Sequence, residues 1–355
     1  MIVPRRAAER KGRAGAAQGP VTAEDVARLA GVSAGTVSRV VSRHPRVAPE
    51  TRARVLAAME ALRYQPNAAA RAMRTNRTHT VGFLMPNISN RVFAQVALGI
   101  EQVLTPAGYL LMSVSSDRSH DRECAFFDSA GQRRMDGLIV SLSDETAEAP
   151  LDRLKRLSIP TVILDREVPV GSDHVFSEHA RPMLMVVEHL FAQGHRRIGL
   201  IAASERIRPG RERIAAYRAA HAGGGMAVDE TLVKAGTQSE AFGRQSALDL
   251  LTGADPPTAL IAAGSDIFLG ALKAIRTLGL AIPGDISFVG ADDRQLAELA
   301  GPEITTLDRD MREVGRTAAR LLIERLGGLE GAPRRLLLPS TVVLGRSVGP
   351  PRRRA

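Results

Sequence analysis

The segment "VTAEDVARLAGVSAGTVSRVV", Val21 to Val41, places two short amphipathic helical patterns on either side of a three-residue junction, Gly31-Val32-Ser33. Thr22 stands three residues before Asp25, the spacing of a capping box. Val26, Leu29 and Ala30 then fall on one helical face. Gly31 stands where the first helix needs a left-handed residue, and Ser33 suits the N-cap of the second, whose Val37, Val40 and Val41 point inward. Ala34, Gly35, Thr36, Ser38 and Arg39 are left on the first turns and outer face. A pair this short cannot enclose a core by itself. The next patterned stretch, "APETRARVLAAMEALRY", supplies a third helix, with Pro49 in its first turn and Val55, Met59 and Leu62 at core spacing. Three helices with a tight glycine turn between the first two predict a helix-turn-helix domain. Its second helix would enter a DNA major groove by its N-terminal end.

Charge supports the same partner. The net charge is +10, yet residues 1–79 hold 15 Arg and Lys against five Asp and Glu, so the remaining 276 residues balance. An excess confined to one end is the footprint of a module that meets a polyanion. Arg5 to Arg13 read as a solvated basic arm over residues 1–20, without the apolar centre of a signal peptide. Arg39, Arg43, Arg46, Arg52, Arg54, Arg71, Arg74 and Arg77 sit instead among patterned helices. After Pro66, "NAAARAM" is too short to be a stable helix alone. It is either a plain linker or a hinge that becomes helical when paired with its twin on DNA.

From Thr80 onward, short apolar strands alternate with helices: "TVGFLMPN", "YLLMSVSS", "DGLIVSL" and "IPTVILDR" each end in a polar turn, the signature of a doubly wound parallel sheet. The opening recurs 117 residues later, where "RRIGLIAAS" at Arg196–Ser204 echoes "HTVGFLMPN" at His79–Asn87. Two similar α/β halves imply a two-lobed fold with a cleft at the carboxyl ends of the strands. No G-x-x-x-x-G-K-[ST] loop, H-E-x-x-H or G-x-S-x-G elbow occurs, so no enzyme chemistry, cofactor or metal site is expected. His189 and His195 read as structural, with no third ligand nearby. Cys124 is the single cysteine, which excludes an intrachain disulfide and suits a reducing cytosol. No apolar run approaches a membrane span.

These stretches carry a resemblance. Residues Val21 to Val41 followed by "VAPETRARVLAAMEALRYQPNAAARAM" resemble the headpiece and hinge of the lactose-repressor/galactose-repressor family, and the similarity continues to about Arg346. The resemblance implies base reading by Ala34, Gly35 and Arg39, and phosphate contacts from the hydroxyls of Thr22, Ser33, Thr36 and Ser38. In the hinge, Asn67 and Arg71 join the DNA contacts, and Met73 replaces the usual leucine that wedges into the minor groove. It further implies a periplasmic-binding-protein-like sensor with ligand contacts at Asn90, Phe93, Asp165, Arg213, Asp266 and Asp292. Several positions depart from the family. Ala34 and Gly35 cannot hydrogen-bond a base. Gln238 replaces a stacking aromatic, Glu178-His179 replaces Asp-Asn, and Ala216 replaces a glycine. Asp266 is one residue off register, so either Gly264-Ser265 or Asp266 would occupy that site.

The expected organisation is a basic arm over 1–20, a helix-turn-helix domain over 21–66 and a hinge over 67–79. A ligand-binding and dimerisation domain spans 80–346, with a basic tail over 347–355. One lobe takes about 80–177 and 309–339, the other about 178–308 and 340–346. Such a chain is expected to act as a cytoplasmic homodimeric repressor of a palindromic operator, switched by a sugar-like small molecule held between the lobes. The alternative is a solute-binding receptor without a DNA role.

Overall fold

In the computed structural model, which describes residues 21–41, 44–65 and 77–352, helix α1 (Ala23–Ala30) opens on a complete capping box. The Thr22 amide donates to Asp25 Oδ2 at 3.0 Å, and the Asp25 amide donates back to Thr22 Oγ1 at 3.3 Å. Gly31 ends the helix at φ +62°, and its N–H reaches the Ala27 and Arg28 carbonyls. Helix α2 (Ala34–Val41) starts with the Thr36 amide donating to Ser33 Oγ at 3.2 Å. Helix α3 (Pro49–Ala61) closes the core, in which Val26, Ala27, Ala30, Val37, Val40, Val55 and Ala58 are buried. Leu29 corrects the sequence-based face of α1, since it is 57% exposed. The buried stripe is centred on Ala30, with Val26 on one side and Ala27 on the other, and Leu29 falls beyond its edge. The chain divides into two units, Met1–Asn76 and Arg77–Ala355. The hinge candidates Asn67, Arg71 and Met73 lie outside the described residues.

The second unit contains two six-stranded sheets, each flanked by helices on both faces. In chain order the first holds β1 (Thr80–Met85), α4 (Arg91–Leu104), β2 (Leu110–Ser115), α5 (His120–Gln132), β3 (Gly137–Val140), α6 (Glu148–Arg156), β4 (Thr161–Leu164) and β5 (Asp173–Ser177). The second holds α7 (Ala180–Ala192), β6 (Ile198–Ala203), α8 (Arg208–Gly223), β7 (Val233–Gly236), α9 (Glu240–Leu251), β8 (Ala259–Ala263), α10 (Ser265–Thr277), β9 (Ser287–Ala291), α11 (Arg294–Leu299) and β10 (Thr305–Asp308). Helix α12 (Met311–Leu326) returns to the first sheet, β11 (Arg335–Leu338) joins its edge, and β12 (Thr341–Val343) joins the second. The strand orders are β11-β5-β4-β3-β1-β2 and β12-β10-β9-β8-β6-β7. All pairs are parallel except β10 with β12. The chain thus passes between the lobes three times.

Strand alternation explains the layering. Val81, Phe83 and Met85 of β1 face α4 and α12, whereas Leu84 faces α5 and α6. Gly99 and Gly315 let α4 and α12 cross closely: a Cβ on Gly99 would lie 2.1 Å from the Arg312 carbonyl oxygen. The second lobe does not stop at residue 346. Ser347 is fully buried, with its Oγ donating to the Phe288 carbonyl at 2.6 Å, and His195 binds the Gly349 carbonyl at 2.9 Å. His195 also contacts Thr258 Oγ1 and Ser287 Oγ, a purely structural set of partners. Among the described residues no helix is long and apolar enough to cross a membrane.

Candidate DNA-reading surface and effector cleft

In the headpiece, Thr22, Ser33, Ala34, Gly35 and Arg39 are exposed, and Thr36 and Ser38 are half-buried. Ser33 Oγ lies 3.0 Å from Thr36 Oγ1 at the start of α2, so hydroxyls crowd the end of the helix that carries unpaired N–H groups. Arg39 follows one turn later, and its guanidinium folds back over Gly35: a Cβ there would sit 4.0 Å from Arg39 Nη2. Two other headpiece arginines hold the domain together. Arg54 Nη2 donates to the Ala30 carbonyl at 2.7 Å and the Gly31 carbonyl at 3.1 Å, and Arg52 donates to the His44 carbonyl. Arg54 therefore caps α1 from α3 and fixes the turn that aims α2.

The cleft is built from matched parts. Asp165 follows β4 and Asp292 follows β9, and both adopt positive φ, +50° and +66°. Each backbone amide donates to the neighbouring strand, to Val175 at 2.9 Å and Leu307 at 3.0 Å. These strained strand ends turn both carboxylates toward the space between the lobes. Arg309, just after β10, spans them. Its Nη1 donates to Asp165 Oδ2 at 2.6 Å and its Nε to Asp292 Oδ1 at 2.8 Å. Arg213 clamps Asp292 with two 2.9 Å contacts and donates to the Ala263 carbonyl. Asp165 also accepts from the Ser177 amide, Arg208 and His179.

Burial alone would push both carboxyls up. For Asp165, His179, Arg309 and the Ser177 amide outweigh burial and hold the carboxyl well below its usual range. For Asp292, Arg213 and Arg309 bring it down to about 2. Burial lowers His179 to about 4 against the pull of Asp165. Its Nδ1 is buried without a hydrogen-bond partner.

Asn90 caps α4 through the Val92 amide and ties the lobes together. It accepts from Ser265 Oγ at 3.1 Å and donates to Asp266 Oδ2 at 3.2 Å. Both alternatives at the off-register position therefore meet the cleft. Phe93 packs on the first lobe's core, its ring 6.5 Å from that of Phe83. Asn90, Phe93, Asp165 and Asp292 line a cavity of about 40 Å³, room for a few waters. Arg213 and Asp266 stand behind this wall, bonded to Asp292 and Asn90. A larger cavity of about 330 Å³ adjoins it, bordered by Arg118, Ser143, Asp144, Arg166, Arg206 and Gln238. Ion pairs cross the cleft at Arg206–Asp144 (2.6 Å), Arg211–Glu145 (2.6 Å) and Arg91–Asp293 (3.3 Å). Arg118 reaches the Gln238 carbonyl and, at 3.6 Å, Asp266. Burial raises the Asp266 carboxyl against the pull of Arg118 and Asn90.

Sequence reasoning missed Arg309, Arg208, Arg118 and Arg166. The signal for Arg309 was indirect: two strand-ending carboxylates brought to one floor need a cation, and "TTLDRD" places one at a crossover.

Residues 22–67 match the family description "Bacterial regulatory proteins, lacI family", and residues 187–348 match "Periplasmic binding protein-like domain". The HTH-type transcriptional regulator CelR of Thermobifida fusca is 34% identical over 337 residues, 92% of this chain and 98% of that protein. The solved transcriptional regulator CelR–cellobiose complex is 30% identical, covers 92% of this chain and all of that one, and superposes with a TM-score of 0.71. The lac repressor dimer bound to operator and the anti-inducer ONPF is 28% identical, covers 93% of this chain and 99% of that one, with a TM-score of 0.82.

Proposed function

The chain belongs to the lacI family of bacterial regulatory proteins, a DNA-binding transcriptional regulator and not an enzyme, and on that premise we propose that it is a cytoplasmic homodimeric repressor released from, or fixed to, its operator by a small polar metabolite. Two headpieces read the halves of a palindrome, since two-fold operators match two-fold proteins. Arg39 supplies the hydrogen-bonding readout, and Ala34 offers only a methyl contact to thymine. The hydroxyls of Thr22, Ser33, Thr36 and Ser38 hold phosphate. Asn67, Arg71 and Met73 of the hinge complete the contact, with Met73 entering the minor groove at the centre.

The observation that carries the effector reading is the guanidinium of Arg309 shared between Asp165 and Asp292 at paired strand ends. A hydroxylated ligand seated there, with Asn90, Phe93, Arg213 and Asp266 around it, would exchange its hydroxyls for these inter-lobe bonds and shift one lobe against the other. Coupling of about 1–3 kcal/mol between cleft and operator is ordinary for such switches. The relatives bear on this directly, one being solved with cellobiose and another as a dimer on operator with an anti-inducer. A receptor without a DNA role would leave residues 22–67 and their charge without a purpose.

The test is binding of the full chain to a library of palindromic duplexes at rising salt. A selected palindrome whose affinity falls steeply with salt supports the reading. Uniform binding to every duplex, with or without added metabolites, refutes it.

A further inference from the structure

Arg166 is only 3% exposed, yet among the described residues it forms no ion pair. Its Nε donates to the Leu142 carbonyl at 2.5 Å and its Nη1 to the Asp165 carbonyl at 2.9 Å, so the groups that bond it are neutral carbonyls. Burial pulls its pKa down while Asp165, Glu145 and Glu123 act on it from a distance. A guanidinium sequestered in this way is costly unless something anionic comes to it. Arg166 borders both cleft cavities.

The larger cavity has the same electrical bias. Arg118, Arg166 and Arg206 border it, and Asp144 is the sole carboxylate among the described residues lining it. Asp144 is already held by Arg206 at 2.6 Å. Arg118 is presented from a left-handed backbone, φ +60°, immediately after Asp117 at φ +50°. Two consecutive strained residues aim a cation into the cleft where a relaxed loop would not. Ser143, Ser204, Thr237 and Gln238 add hydroxyl and amide groups, and the lining includes no Phe or Tyr on which a pyranose face could stack. At about 330 Å³ the space falls at the small end of ligand sites.

We infer that the effector is an anion, a small polyhydroxylated acid whose carboxylate or phosphate docks on Arg166 between Arg118 and Arg206. The inference rests on the effector-switched regulator reading and narrows its ligand class. Two or three charge-assisted bonds from planar guanidinium forks suit either group. The hydroxyls of the carbon skeleton then meet Ser143, Thr237 and Gln238.

Thermal-shift and calorimetric titrations of the full chain test this with gluconate and galacturonate as carboxylates, glucose 6-phosphate as the phosphate, and glucose and galactose as neutral partners. At least one acid is expected to raise the melting temperature at millimolar concentration while the neutral sugars do not. The carboxylate and phosphate arms identify which group is taken. Arg166→Met should weaken the binding acid by roughly tenfold or more, the loss of one charge-assisted contact. Arg118→Gln, at a half-buried residue whose contacts are the Gln238 carbonyl and Asp266, should weaken it several-fold and covers the case in which the Arg166 variant folds poorly. A neutral sugar that binds as well as its acid, silence from every acid, or unchanged acid affinity in Arg166→Met and Arg118→Gln would each overturn the inference. Operator binding by the same preparation reports separately on the regulator reading, which survives any of these results.

Discussion

Replacing Arg309 by methionine removes a side chain bonded to both strand-end carboxylates and leaves its aliphatic volume in place. Arg309 is 7% exposed, Asp292 2% and Asp165 13%, so the pairs it forms are largely desolvated. Breaking a buried pair by deleting one partner costs about 3–5 kcal/mol. Here the lower end applies, because Asp292 keeps Arg213 and Asp165 keeps Arg208, His179 and the Ser177 amide. For a unit of this size about 3 kcal/mol corresponds to a melting-temperature drop of roughly 5 °C. The loss has a pH signature. Asp292, depressed to about 2 in the intact protein, contributes stability that is fully present above the ordinary carboxylate value near 4 and lost as pH falls through 2. Without Arg309 both carboxyls move up, and protonation relieves the stranded charges. The gap between wild type and Arg309→Met should therefore be widest at pH 7 and shrink below about pH 4. Melting curves by circular dichroism at pH 7, 5, 4 and 3 measure it. A variant that melts with wild type at pH 7, or a gap that widens in acid, refutes the bridging role.

Arg54→Ala should destabilise the headpiece by about 1–2 kcal/mol through loss of its bonds to the Ala30 and Gly31 carbonyls. Urea unfolding followed at the headpiece would show an earlier midpoint, and an unmoved midpoint would make those bonds incidental. Arg39→Ala should lose about 1–3 kcal/mol at its own base pair and relax sequence preference there. Equal discrimination between matched and altered operators by wild type and variant would remove Arg39 as a reader. Gly99→Val should destabilise the sensor unit by about 1–3 kcal/mol or more, because any Cβ meets the Arg312 carbonyl at 2.1 Å. Wild-type thermal stability in that variant would mean α4 and α12 can separate freely.

Periodicity and punctuation made the architecture legible. The Gly31 turn, the capping pair at Thr22 and Asp25, and the echo between β1 and β6 are local patterns that survive into the folded chain. Leu29 was misplaced because a three-residue spacing drifts off the centre of an eight-residue helix, whereas Ala27 is small enough to be overlooked as core. The cleft was legible only in part. Asp165 and Asp292 stood out as polar ends of apolar strands. Arg309, Arg208 and Arg118 did not, because their meaning depends on which residues the two lobes bring opposite them, over separations of 43 to 148 positions. Arg166 adjoins Asp165 in sequence and resembles an ordinary turn residue until its burial is seen.

Arg309 sits immediately after β10, in one of the three strands of chain that join the lobes. A fastening placed at a pivot has almost no lever arm. Arg206 is 63% exposed and Arg309 only 7%, so the outer Arg206–Asp144 pair is open to water and the Arg309 bonds are not. Parting the rim alone would therefore leave Arg309 fastened to both carboxylates, and a metabolite has to take over those buried bonds before the closed arrangement is given up.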